Sequence, residues 1–404
     1  MVAEAEVEPP SRIPMLEVQH YSSARASAHV RELMTVSSPV PAPNSEAIQV
    51  PESVYVEVST THHAEVRAAE VLTMEVPESP SQDFVPSIRS GSFAAIGARR
   101  NMEDEHLRID DLSKHLGPPF QFPQPCAFYG VFDGHGGPEA AAFIKGNIMK
   151  LLFDEAEFPS STEVDKIFTA EVTNSIEKAY LLADNALAAG AHEVVRSTGT
   201  TALTAFIFGS HLMVANAGDC RAVLCRKGMA INMSQDHKPT NPLERRRVEQ
   251  LGAFVEDGYL NGLLSVTRAL GDWDIKSLAK DIASSPLIPN PEVMQLVLTE
   301  EDEFLILACD GIWDVMSSQL AVNIVRRGLR KHDNPKQCAR DLVKESLRLG
   351  AHDNLTVVVV CLLGPEHRTI SPSTPDRHRK LRFFSLSSEA LCSFKGFLDG
   401  GGSR

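Results

Sequence analysis

In this 404-residue chain, acidic residues recur where apolar, β-branched stretches end or begin. Asp133 closes CAFYGVF and is followed by GHGG, Asp310 and Asp314 follow EFLILAC, and Asp353 precedes LTVVVV. Asp219 sits within LMVANAGDCRAVLC, and Glu103 and Asp104 adjoin in RRNMED. Carboxylates at strand ends repel one another unless a cation lies among them, and hard divalent ions such as Mg²⁺ and Mn²⁺ take oxygen ligands of this kind. A set without obligatory His or Cys ligands suits two such ions, roughly 3.5–4 Å apart, sharing a water that loses its proton near neutral pH. The matching reaction is in-line hydrolysis of a phosphate ester, with charge on the nonbridging oxygens neutralised by the ions. That reaction also needs a phosphate clamp and an acid for the leaving oxygen. Arg99 offers a bidentate guanidinium shortly before Met102. His135, just after Asp133, can deliver the proton.

These residues must be positioned by strands and helices. Apolar, β-rich runs predict strands at 91–96, 127–132, 201–208, 211–217, 221–225, 304–309 and 355–362. Helices are predicted from Pro138 to about 153, and over roughly 163–189 with Ile167, Phe168, Val172, Ile176, Ala179, Tyr180 and Ala183 on one stripe. A third covers 242–251, with Asn241 as N-cap, Pro242 at its first position, Glu244 closing a capping box and Gly252 as stop. Another runs from Asn334-Pro335 to before Gly350. The short turn between 211–217 and 221–225 predicts that these two strands pair antiparallel. Strands and helices come in blocks, which favours an α+β fold over a doubly wound parallel sheet.

The ends of the chain differ from its middle. Residues 1–87 are rich in Pro, Glu and Ser, hold few aromatics, and read as a disordered extension in which only 54–58 alternates like a strand. Residues 364–404 form a polar tail with two Ser/Thr-Pro dipeptides, a basic cluster at Arg377, Arg379, Lys380 and Arg382, and a weakly amphipathic helical pattern in FFSLSSEALCSFKGFL. The catalytic domain is therefore expected over 88–363. A net charge of −14 argues against nucleic acid or an anionic membrane as the main partner. Seven cysteines without regular spacing suggest free thiols, and the acidic start MVAEAEVEPP resembles no secretory or transit signal. The longest apolar run, Val357 to Leu363, is too short to span a bilayer. An intracellular protein of the cytoplasm, the nucleus or both is expected.

RRNMED (99–104), FYGVFDGHGG (128–137), GTTA (199–202), ANAGDCRAVL (215–224), DHKP (236–239), TRALGD (267–272), CDGIWDVM (309–316) and HDNLTVVVV (352–360) resemble, in order, the motif series of metal-dependent type-2C protein phosphatases, the PPM family. The likeness covers about residues 88–363, and the Pro-rich extension resembles plant members. It implies a central β-sandwich of two antiparallel sheets flanked by α-helices, with the metal site in a cleft at one end. It implies a Mg²⁺- or Mn²⁺-dependent protein serine/threonine phosphatase that forms no covalent intermediate, works as a monomer and acts as a negative regulator in kinase signalling. Its partners would be phosphorylated proteins, protein kinases among them. Carried onto matching positions, Asp133 would bridge two core ions and the Gly134 carbonyl would bind one. Glu103, Asp310 and Asp353 would complete the inner set, with Asp104 acting through water. Arg99 would hold phosphate and His135 would be the general acid, while Asp219 and Asp314 would serve a third, weaker ion.

The chain departs from the family at DCR for DSR, at TRALGD for SRALGD and at Gly252-Ala253 for two glycines. Leu260-Asn261-Gly262 stands where abscisic-acid co-receptors carry a tryptophan ahead of Asn-Gly, so a co-receptor role is not expected. Asp219 and Asp314 admit a second reading as turn formers. Cys220 and Arg226 fit the C-x5-R spacing of cysteine-dependent phosphatases, but RAVLC between them is strand-like and offers no phosphate-cradling nest. A catalytically silent scaffold and a two-metal hydrolase of small phosphate esters are the competing functions.

Overall fold

Side-chain alternation along the central strands determines the layers. In Arg221–Arg226, Ala222 and Leu224 face one core while Val223 and Cys225 face another. Leu305 and Leu307 alternate in the same way with Phe304 and Ile306, as do Val358 and Val360 with Val357 and Val359. Residues two apart share a face of a strand, so a strand apolar at every position must be covered on both sides. The computed structural model describes residues 84–189, 196–279 and 284–364, and meets this requirement with two stacked antiparallel sheets.

One five-stranded sheet runs in the order Arg89–Ala95, Leu355–Cys361, Asp302–Ala308, Arg221–Arg226, Met229–Asn232. The other, also five-stranded, runs Glu292–Val297, His211–Ala217, Ala202–Phe208, Cys126–Phe132, Glu105–Ile109. Their facing surfaces meet in a core that includes Tyr129, Val131, Leu203, Leu224, Leu307 and Val358. Helices Ser318–His332 and Pro335–Arg348 cover the first sheet through Val325 and Leu342. Helices Glu139–Lys150 and Lys166–Ala188 cover the second through Ile144, Val172 and Tyr180. The fold is the expected α+β sandwich. Phe84 and Ile88 already pack against its central core. Residues 1–83 and 365–404, with the strand expected at 54–58 and the helical pattern near the C-terminus, lie outside the described residues.

Three local expectations are corrected. The strands His211–Ala217 and Arg221–Arg226 do not pair with each other; each joins a different sheet. Gly218-Asp219-Cys220 is a corner between sheets, because both strands are apolar on both faces and each takes an interior place in its own sheet. At Gly218 φ is 119°, and a Cβ there would lie 2.5 Å from Thr201 Cβ, so only glycine fits the corner. Ile167 is 68% exposed. It stands about 100° around the helix from Phe168 and shares its face with Glu171 and Asn174. Glu244 closes no capping box; Asn241 caps the helix Pro242–Gln250, while Glu244 turns inward to Arg247, Thr267 and Arg268. The strands Glu105–Ile109, Met229–Asn232 and Glu292–Val297 carry no continuous apolar run because they are sheet edges, part-exposed along their length.

Candidate metal centre

The sandwich brings carboxylates from separate parts of the chain to one end. Asp133 directly follows Cys126–Phe132 of one sheet, and Asp104 directly precedes the neighbouring strand Glu105–Ile109. Asp310 follows Asp302–Ala308 and Asp353 precedes Leu355–Cys361, which are paired neighbours in the other sheet. Asp219 occupies the corner between sheets. Ligand atoms of Asp133, Asp219 and Asp310 lie within 4.8 Å of one another, and those of Asp104, Asp133 and Cys309 form a second such group. Asp133 belongs to both.

The chain compensates only part of the charge in this cluster, through Arg99 beside Asp353 and Lys238 beside Asp219. Asp104 is 4% exposed and neither of its oxygens has a hydrogen-bond partner. Burial raises its pKa and Asp353 adds to the rise, while Thr356, Cys309 and Asp133 beside it ease the rise. Burial, then the charges of Asp104, Asp310, Asp219 and Asp353, push Asp133 well above the ordinary carboxylate range. Burial and the neighbours Asp219, Asp314 and Asp353 lift Asp310 to about 7, with Lys238 opposing. Asp219 rises to about 6, chiefly through burial, again with Lys238 opposing. Buried carboxylates without partners are costly, and hard oxygen donors facing one another are what a divalent cation binds. Cys309 does not soften the set, because burial holds its thiol well above its usual pKa and therefore protonated.

Backbone contacts hold the centre in place. The Asp133 carbonyl accepts from Thr201 N at 2.9 Å and Thr200 Oγ1 at 3.1 Å, and Asp133 N donates to Thr201 Oγ1. Gly134, next in the chain, pairs with Thr200 in a short ladder. Asn354 ties the loop before the edge strand to the Asp353 turn: its Nδ2 donates to the carbonyls of Ile96 and Asn101, and its Oδ1 accepts from Glu103 N. The Glu103 carboxylate is in neither ligand group; Asp104, which sequence reasoning placed farther out, is the one packed against Asp133. Arg99 Nη2 donates to Asp353 Oδ2 at 2.6 Å, and its side chain is 56% exposed at the rim. Asp314 is exposed, and its Oδ1 accepts from Lys238 Nζ at 2.8 Å; the same ammonium is 3.4 Å from Asp219 Oδ2. His135 Nε2 lies 2.7 Å from Asp272 Oδ2. Burial presses the His135 ring toward its neutral form, but Asp272 outweighs it and the pKa ends raised.

Lys238 and Asp272 had no role in the sequence reading, although both fall inside recognised stretches, DHKP and TRALGD. The C-x5-R coincidence dissolves: burial pushes the Cys220 thiol well up, and Arg226 is paired with Asp302 at 2.8 and 2.9 Å.

Residues 88–355 match the family described as "Protein phosphatase 2C". The chain belongs to this family. It is 57% identical over 340 residues to "Probable protein phosphatase 2C 2" of Oryza sativa subsp. japonica, covering 82% of this chain and 88% of that one. It is 54% identical over 358 residues to "Probable protein phosphatase 2C 13" of Arabidopsis thaliana, covering 88% and 91%. Among solved structures, a serine-threonine phosphatase 2C from Toxoplasma gondii shares the fold, with a TM-score of 0.55 at 23% identity over 71% of this chain and 100% of that one. A C. elegans sex determining protein is similar at TM-score 0.58 and 24% identity, covering 72% and 68%. This protein phosphatase 2C is thus a metal-dependent serine/threonine phosphatase, and its substrates are phosphorylated proteins. Leu260, heading its Leu-Asn-Gly turn, is buried. No helix among the described residues is long and apolar enough to cross a membrane.

Proposed function

We propose that this phosphatase uses Mg²⁺ or Mn²⁺, and that Asp133 would be a ligand common to two core ions. The carboxylates of Asp104, Glu103, Asp310 and Asp353 and the Gly134 carbonyl complete the set. The membership of Asp133 in both ligand groups carries this reading. Bound there, the ions supply Lewis acidity and an activated water for attack on phosphoserine or phosphothreonine. Arg99 is anchored through one Nη to Asp353, which leaves its other N–H groups to bind the phosphate oxygens. His135 delivers a proton to the departing seryl or threonyl oxygen. Asp219 and Asp314 form an outer site for a third ion. The Lys238 ammonium is seated between these two carboxylates and would have to move aside for an ion there, which is a physical reason for weak binding.

The same reading takes 88–363 as the catalytic domain, with 1–87 and 364–404 as tails, and the protein as a monomer of the cytoplasm, nucleus or both. Phosphorylated protein kinases are then natural targets, and the protein is a negative regulator in kinase signalling. The test is release of phosphate from a phosphothreonine peptide by purified protein. Activity should require Mg²⁺ or Mn²⁺, vanish in EDTA and return on refilling. Undiminished turnover in EDTA, or full activity in Asp133→Ala, sinks the mechanism.

A further inference from the structure

A carboxylate–histidine pair lies beside the metal cluster, His135 being two residues beyond Asp133. The strands Gly134–His135, Gly199–Thr200 and Leu270–Gly271 form a small sheet in which Gly199 is opposite both His135 and Gly271. Asp272 follows immediately. A Cβ on Gly199 would lie 2.2 Å from Asp272 Oδ2 and 2.3 Å from His135 Nε2, so the hydrogen-bonded pair lies directly over this glycine. Asp272 is 3% exposed and adopts φ 54°, ψ 38°, a left-handed conformation that Asp and Asn tolerate better than other side chains. Although it stands at the N-cap of the short helix Trp273–Lys276, its side chain makes no capping hydrogen bond. Its carboxylate is directed to the imidazole instead.

The turn is fixed from behind. Asp272 N donates to Thr198 O at 2.9 Å. Asp184 Oδ1 accepts from Gly271 N at 2.7 Å and from Lys276 Nζ at 2.6 Å. Lys276, 1% exposed, also donates to Ala269 O, and Trp273 Nε1 donates to Asp184 O. A buried carboxylate held this firmly beside an imidazole sets the ring's orientation and which nitrogen meets the substrate.

We propose that Asp272 is a positioning residue for His135, holding Nε2–H so that Nδ1–H is the proton presented to the leaving oxygen. This rests on the reading of His135 as general acid. As the P–O bond breaks, the leaving oxygen keeps the electron pair and takes the Nδ1 proton. The ring is left neutral, still hydrogen-bonded to Asp272, and regains a proton from solvent.

Asp272→Asn keeps the volume and the left-handed backbone. Its kcat on a phosphothreonine peptide should fall about a hundredfold with KM little changed, whereas p-nitrophenyl phosphate, whose phenolate departs unprotonated, should lose less than about threefold. Mn²⁺ affinity, measured by calorimetric titration, should be unaltered. His135→Ala should show the same substrate bias, and the double variant should be no worse than His135→Ala alone. In the wild type, nitrogen NMR of the neutral ring should report the Nε2–H tautomer, a readout that does not depend on how the variants fold. Equal losses on both substrates, weakened Mn²⁺ binding in Asp272→Asn, or an Nδ1–H tautomer overturns the proposal. A bias in His135→Ala without one in Asp272→Asn overturns the Asp272 role alone. Absence of bias in His135→Ala overturns the acid reading and the proposal together.

Discussion

Glu244 and Asp104 are equally buried, each 4% exposed, yet the chain treats them in opposite ways. Glu244 Oε2 accepts from Arg247 Nη2 at 2.7 Å and Thr267 Oγ1 at 2.6 Å, and Oε1 accepts from Arg268 Nη2 at 2.7 Å. Burial alone would raise its pKa, but the two guanidiniums outweigh it and hold the carboxyl well below the usual range. Asp104 has no hydrogen-bond partner on either oxygen, and its neighbours Asp133, Asp219 and Asp310 are all shifted upward. Where the fold needs a buried carboxylate for structure, as at Glu244 or at the Asp184–Lys276 pair, it supplies the cation from its own side chains. Where several carboxylates crowd together with only Lys238 and Arg99 at the margin, the balancing cation comes from outside.

The largest test of this contrast is Asp133→Ala. Phosphopeptide hydrolysis should drop by at least about a thousandfold, because the transition-state charge loses its counterions. The metal-free variant should nonetheless melt a few degrees above metal-free wild type at pH 8, since a buried like charge is gone. Calorimetry in EDTA checks this; a lower melting point would erase the distinction between the two regions. The reverse outcome belongs to Glu244→Ala. Stability should fall by about 3 kcal/mol, at the low end for broken buried pairs because both guanidiniums are part-exposed, with Mn²⁺ stoichiometry unchanged. Denaturant midpoints and metal titration measure the two halves of that statement.

The pH response sharpens the contrast further. Asp310 and Asp219 have folded pKa values of about 7 and about 6, both raised above the ordinary aspartate range. The metal-free native state therefore holds protons that the unfolded chain releases, and its stability should decline as pH rises from the ordinary carboxylate range through about 7. Saturating Mn²⁺ should invert that slope, because binding requires the ionised carboxylates. Glu244, with its pKa depressed, contributes stability that is fully present above the ordinary carboxylate range and is lost only in stronger acid. Melting curves across pH, with and without Mn²⁺, follow both effects; a rising slope in the metal-free protein would contradict the assignment. The smallest expected effect is that of thiol alkylation. Every cysteine among the described residues is buried, so iodoacetamide should leave activity unchanged.

Much of this site was legible because strand ends and turn residues are local signals. Asp133, Asp310 and Asp353 each adjoin a continuous apolar run, and such runs become central strands covered on both faces. The helix Pro335–Arg348 begins at its Asn-Pro signal for an equally local reason, the Asn334 side chain accepting from Gln337 N. The edge strands Glu105–Ile109, Met229–Asn232 and Glu292–Val297 were illegible because half-exposed segments carry little apolar pattern. The corner at Asp219 misled because a three-residue link between strands suits a hairpin and a step between sheets equally well.

By itself, then, the sequence determined the α+β class, the residue types of the metal centre and the reaction they suit, since element pattern and hard-oxygen chemistry are properties of residues and spacing. The two-sheet sandwich was implied by the likeness of the ordered motifs to a known family. Only the tertiary structure decided which side chains meet. It brought Asp104 rather than Glu103 against Asp133, seated Lys238 between Asp219 and Asp314, and set Asp272 against His135 across 137 positions of chain. Those pairings arise where separate strands and turns converge in space, and a convergence of that kind leaves no periodicity for the sequence to display.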